Sequence, residues 1–149
     1  MFGWLLHTDD SAVGLILRLT LAVVFFPHGA QKVLGWFGGQ GFKNTMQFFT
    51  SSGVPAGFAL LAMAAELLGP LGLAIGLLAR VAAFGIACVM LVAIVTVHWQ
   101  HGFFMNWFGN QQGEGFEYHL LAGGIALAII IMGAGAWSMD GALVAASAH

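Results

Sequence analysis

Four apolar runs, each long enough to cross a bilayer as a helix, take up most of this chain. They cover 11–34, 57–78, 80–99 and 117–137. A hydrocarbon core about 30 Å thick needs about 20 helical residues. In lipid every backbone N–H and C=O has to be satisfied inside the protein, so runs of this kind fold as helices. The predicted fold is all-α: an integral membrane four-helix bundle, up-down-up-down, with residues 1–149 as a single membrane domain. Composition agrees, with 60% hydrophobic and 7% charged residues. A soluble domain carries about 25% charged residues, and a soluble chain of this size has too much surface for its volume to hide so much apolar side chain. The four cations Arg18, Lys32, Lys43 and Arg80 are scattered, so no basic run is available to hold nucleic acid.

The connections set the topology. Asp9, Asp10 and Ser11 are helix-start residues. Met1 to Asp10 carries no positive charge in a side chain that could form a signal-peptide n-region, so the first run is expected to stay as a span. Only Ala79 and Arg80 separate spans two and three, which predicts a tight hairpin with Arg80 capping it at the membrane surface. Both termini then share one side, A, with that hairpin. The opposite side, B, receives GWFGGQGFKNTMQFFTSSGVP from Gly35 and QHGFFMNWFGNQQGEGF from Gln100. Their aromatics suit a membrane interface, and Phe42 to Ser51 is expected to form a short interfacial helix after the first span, Phe48 and Phe49 towards lipid. GLAIG at 72–76, Ala83 with Ala87, and Gly123, Gly124, Gly133 and Gly135 suggest close helix packing. Cys88 is expected to be a small buried hydrophobe, His7 and His149 solvated, and the tail after Asp140 frayed.

Ionisable groups are costly in hydrocarbon and need partners. Glu66 falls about 14 Å inside span two from side B, and His28 and Lys32 lie within about 10 Å of that side on span one, at 1.5 Å per helical residue. His98 and His101 close span three there, and Glu117 and His119 open span four. Side A is expected to be almost wholly apolar, with Arg18 the deep exception. Ala59, Ala62, Gly69 and Pro70 share the face of Glu66, which should therefore point into the bundle, bonded to Arg18 or His28. Glu117 and His119 are two residues apart and cannot share a face, so one should turn inward and the other to the loop. The alternatives are a structural ion pair at Glu66 and histidines that simply snorkel. The predicted site is a cavity opening to side B, lined by His28, Lys32, Glu66, His98, Glu117 or His119, under a lid of Trp36 and residues 102–113. A metal on His28, His98, His119, Glu114 and Glu117 is chemically reasonable, without a dense signature such as HExxH. Haem b would need two opposed histidines, His28 with His98 or His119.

The stretches RLTLAVVFFPHGAQKVLGWFGGQG from Arg18, the Glu66 helix with GPLGLAIGLLAR, VMLVAIVTVHWQHGFFMNW, QQGEGFEYHLL and GAGAWSMD together resemble the DoxX family, from about Arg18 to Asp140. The resemblance implies a four-helix protein of the bacterial inner membrane with both termini cytoplasmic. Some such proteins are similar to the small membrane subunit of an archaeal thiosulfate:quinone oxidoreductase, and some are linked to oxidative-stress complexes. It implies His28, Gln31, Lys32, Glu66, His98, Asn106, Glu114, Glu117 and His119 as site residues. The expected function is a quinone-linked redox or accessory subunit. In it Trp36, Phe37 and Phe104 line a slot, His28 and His98 bond a quinone, and Glu66 and Glu117 carry protons. No flavin or dinucleotide fingerprint is present, so electrons come from a soluble or membrane redox partner or a bound cofactor. The alternative is a non-catalytic membrane scaffold, or a binder or carrier of a small solute. A homo-oligomer stays open.

Overall fold

The computed structural model describes residues 3–147, and among them every regular element is helical. The spans are α2 (Ala12–Val33), α4 (Ala56–Ile75), α5 (Ala79–Ala93) and α6 (Glu117–Met132); the short helices are α1 (Gly3–Leu6), α3 (Gly41–Ser51) and α7 (Met139–Ser147). α3 is the expected helix after the first span, with Phe48 exposed and Phe49 half-buried. A π-helical turn at Ile94–His98 and a 3-10 turn at Trp99–His101 continue α5, so that span runs from Ala79 to His101. α2, α4 and this extended α5 are long and apolar enough to cross a membrane, and α6 is a shorter apolar helix of 16 residues. Each span packs on two others, α2 and α5 both against α4 and α6, which closes a four-helix ring. Leu21, Phe25, Leu73, Ile86, Met90 and Ile129 fill its centre, while Val23, Leu61, Phe84 and Leu121 face outward. Outward apolar side chains are what lipid demands. Cys88 is among them and is exposed, not buried as expected. Ile86 and Met90 hold the inward face of α5, and a residue two positions from each lies on the opposite side of a helix.

Side A departs most from expectation, because it is not apolar. Arg18, Arg80 and Asp140 are all buried there. Arg18 donates five hydrogen bonds to carbonyls: Nε to Ala134 (2.9 Å), Nη1 to Leu73 (2.9 Å) and Ala74 (2.7 Å), Nη2 to Ala136 (3.1 Å) and Trp137 (2.8 Å). Arg80 is not a surface cap. Its guanidinium donates to Ile130 (2.8 Å), Ile131 (3.0 Å), Trp4 (2.9 Å) and His7, and lies 5.1 Å from the Trp4 ring centre. Four of these acceptors, Leu73, Ala74, Ile130 and Ile131, belong to the last turns of α4 and α6. Carbonyls of a last helical turn have no partner within the helix, and they form its negative end. The two arginines supply the missing donors in a place where water is scarce. Span four accordingly ends at Met132 rather than 137, where Gly133 at φ 93° turns the chain so that residues 134–137 face Arg18. Asp140 accepts from the Leu78 and Ala79 amides at the start of α5 (2.7 and 3.0 Å). That contact pins α7, where fraying was expected. His149 lies outside the described residues.

Glycine marks the tightest crossing. A Cβ on Gly29 of α2 would collide with the Glu66 carbonyl and come within 2.7 Å of the Leu67 Cα on α4. Gly133 and Gly135 likewise face the backbone of His7 and Ser11, but Gly123 and Gly124 open onto free space. Those two glycines therefore serve no close approach within this chain. Gly29→Ala is expected to destabilise the bundle by about 1–3 kcal/mol through overpacking. Gly124→Ala should instead be neutral or stabilising by up to about 1 kcal/mol from helix propensity. Unfolding of both variants in detergent by SDS titration tests this, and equal effects would rule it out.

Candidate functional site in the side B half

Glu66 is buried and its carboxylate takes the Lys32 ammonium as an ion pair. The sequence-based expectation of Arg18 or His28 as its partner is corrected. Helical side chains lean towards the N-terminus of their helix. On α2 that direction is side A, so Arg18 reaches the side A carbonyls and Lys32 leans down into the membrane. On the antiparallel α4 it is side B, so Glu66 leans up to meet Lys32. The Gly29 contact holds the two backbones close enough for the pair to form.

A chain of rings runs from α2 across the bundle. Phe25 tilts against His28 and stacks on Tyr118, each at 6.4 Å between centroids. Tyr118 meets His119 edge-on at 5.3 Å, and His119 lies 3.9 Å from His98. His119 is buried, and neither its Nδ1 nor the Tyr118 hydroxyl forms a hydrogen bond among the described residues. His98 is half-buried at the end of the π-helical turn, with Nδ1 2.8 Å from the Glu114 carbonyl.

The loop between α5 and α6 is braced by its own polar groups. The Glu117 carboxylate accepts from the Met105 amide (2.9 Å) and Trp107 Nε1 (3.2 Å), and that of Glu114 accepts from the Asn106 amide (2.7 Å). The Asn106 side chain and Gln111 clamp each other across the turn (3.1 and 3.0 Å). Of the two neighbours on α6, His119 faces inward and Glu117 faces the loop. Gln31 donates to the Phe37 carbonyl (3.2 Å), pinning the turn after α2. Trp36 is exposed and edge-on to Phe26, and His28 is exposed on α2.

The ten predicted residues thus do not form one pocket. Lys32 with Glu66, and His98 with His119, are buried or half-buried pairs. Asn106, Glu114 and Glu117 build the loop, and His28, Gln31 and Trp36 sit at the rim. A cleft of about 300 Å³ opens on the loop between residues 100–104 and 111–112, lined by none of the ten. Among the described residues no three His, Cys, Asp or Glu side chains converge as a metal site would require. Sequence reasoning missed Tyr118, whose signal is a hydroxyl between Glu117 and His119 at the start of an apolar run.

The family model for DoxX matches residues 13–99. The chain belongs to the DoxX family. The matched region of this DoxX protein takes in Arg18, Lys32, Glu66, Arg80 and His98. The chain is also 35% identical over 115 residues, 77% of its own length and 76% of the relative's, to the Bacillus subtilis (strain 168) protein named "Putative oxidoreductase CatD". No solved structure matches it.

Proposed function

We propose that this DoxX-family protein is a quinone-linked redox or accessory subunit of the bacterial inner membrane, with both termini in the cytoplasm and its site in the side B half. One observation carries the reading: the Tyr118 hydroxyl and His119 Nδ1 are buried without a partner among the described residues. Leaving a buried polar atom unpaired costs about 1–3 kcal/mol, so groups kept in that state favour a role towards something other than the chain. Both can donate a hydrogen bond, and a quinone presents two carbonyl acceptors on a flat apolar ring. Phe25 and Tyr118 offer the flat wall, and the Lys32–Glu66 pair offers ionisable groups in the same half of the membrane, where such groups commonly move protons. Reduction of a quinone takes two electrons and two protons and forms two O–H bonds. This chain would orient the head group and deliver protons, while the electrons come from the reduced cofactor of a partner protein. The relative's name as an oxidoreductase points the same way.

The commitment of Glu114 and Glu117 to the loop favours a second reading, a scaffold or solute binder with no redox role. Extraction decides between them. Protein purified in mild detergent is expected to yield near-stoichiometric quinone by solvent extraction and chromatography. Tyr118→Phe and His119→Gln should each lower retention about tenfold, the loss of about 1.4 kcal/mol of hydrogen bonding, with helicity unchanged. Quinone-free wild-type protein would overturn the proposal in favour of the second reading.

A further inference from the structure

We infer that His98 and His119 form a single-proton store that supplies the buried site from side B; this concerns the site just described and rests on its reading as proton-coupled. The ring centroids are 3.9 Å apart and tilted by 39°. Two imidazolium charges about 4 Å apart repel strongly in a poorly solvated place, so the pair holds at most one proton beyond its two neutral rings. The Glu114 carbonyl can only accept, so His98 Nδ1 carries the hydrogen and Nε2 is left as the basic nitrogen. His98 stands half-buried at the side B end of its span, and His119 is buried next to Tyr118 with Nδ1 unpartnered. One ring is thus open to side B and the other faces the site. π-helical turns inside α-helices often occur at functional sites, and here one ends on His98.

The surrounding titratable groups are otherwise engaged. From the loop and α6, the Glu114 and Glu117 carboxylates are bound by Asn106, Met105 and Trp107. On the α5 extension the His101 ring packs over Gly113. From α4 and α2, Glu66 and Lys32 are paired with each other, and His28 is on the exposed face of α2. Tyr118 adds a neutral phenol beside His119. The proton carrier at this end of the bundle is therefore the histidine pair rather than Glu117.

The test is an imidazole ¹⁵N NMR titration of histidine-labelled protein in detergent from about pH 4 to 9, a range that brackets the ordinary imidazole value of about 6.5. The signals are assigned with His98→Gln and His119→Gln. The wild-type pair is expected to take up one proton over that range. In each variant the surviving ring is expected to take up one proton of its own, so that the two variants together bind two where the wild-type pair binds one. Two protons on the wild-type pair, none at all, or a variant whose surviving ring takes up no proton would each overturn the inference. If a variant fails to fold, the wild-type proton count decides alone. The outcome is separable from the quinone reading. A one-proton pair in quinone-free protein would sink only the latter, and a two-proton pair in quinone-loaded protein only the former.

Discussion

Arg18→Met is expected to lower the stability of the bundle by about 3–5 kcal/mol, through buried acceptors left without donors. Methionine fills a similar volume and removes the charge together with its donors. Five carbonyls lose the Arg18 donors, and of these Leu73 keeps the Gly76 amide (3.2 Å). Two lie in the last turn of α4 and three in the turn after α6, so one substitution frees a helix end and the neighbouring turn at once. Each stranded acceptor costs about 1–3 kcal/mol if it stays dry, and water entering from side A would offset part of the sum. Arg18→Lys should recover little, because three donors on one nitrogen cannot span the end of α4 and the turn after α6 as the guanidinium fork does. SDS-induced unfolding followed by circular dichroism measures this, with Lys43→Met, an exposed site, as the control expected within about 0.5 kcal/mol. An Arg18→Met protein that unfolds with wild type would show that the carbonyl cage contributes nothing.

Lys32→Met should destabilise by about 3 kcal/mol or more, because it leaves the buried Glu66 carboxyl without its counter-charge. Glu66→Gln should cost less. The Lys32 side chain is 35% exposed against 5% for Glu66, so the unpaired ammonium can extend towards the side B surface while the carboxyl has no such escape. Combining Lys32→Met with Glu66→Leu should restore much of the stability, since replacing both members of a buried pair with apolar groups is often close to neutral. The order Lys32→Met, then Glu66→Gln, then the double variant nearest wild type is the result to look for. A double variant as unstable as Lys32→Met would mean that the pair is not what holds this part of the bundle.

Several parts of the site were legible before any coordinates. The small residues around Glu66 marked an inward face, and Glu66 is indeed buried. The two-residue spacing of Glu117 and His119 required opposite directions, and they have them. The partner of Glu66 was not legible. Depth along the helices favoured His28 or Arg18, and only the opposed lean of side chains on antiparallel helices brings Lys32 to it. The acceptors of Arg18 and Arg80 are main-chain carbonyls, which leave no mark on residue identity, so side A was read as apolar. Glu114 and Glu117 were read as ligands because the amides they bind belong to a loop fold that residue types do not announce.

The amino-acid sequence by itself determined that this chain lives in lipid as antiparallel helices, and where those helices run to within a few residues. Continuous apolar runs this long and this poor in charge permit no other way to satisfy their backbone in hydrocarbon. Which polar group meets which was decided by the tertiary structure alone. A helix carries its side chains at fixed angles, but its rotation, its depth and its closest crossing are set by packing against its neighbours. Here the contact between Gly29 and the backbone of Glu66 and Leu67, and two arginines holding free helix ends, determine that Lys32 finds Glu66 and that His119 comes to rest against His98.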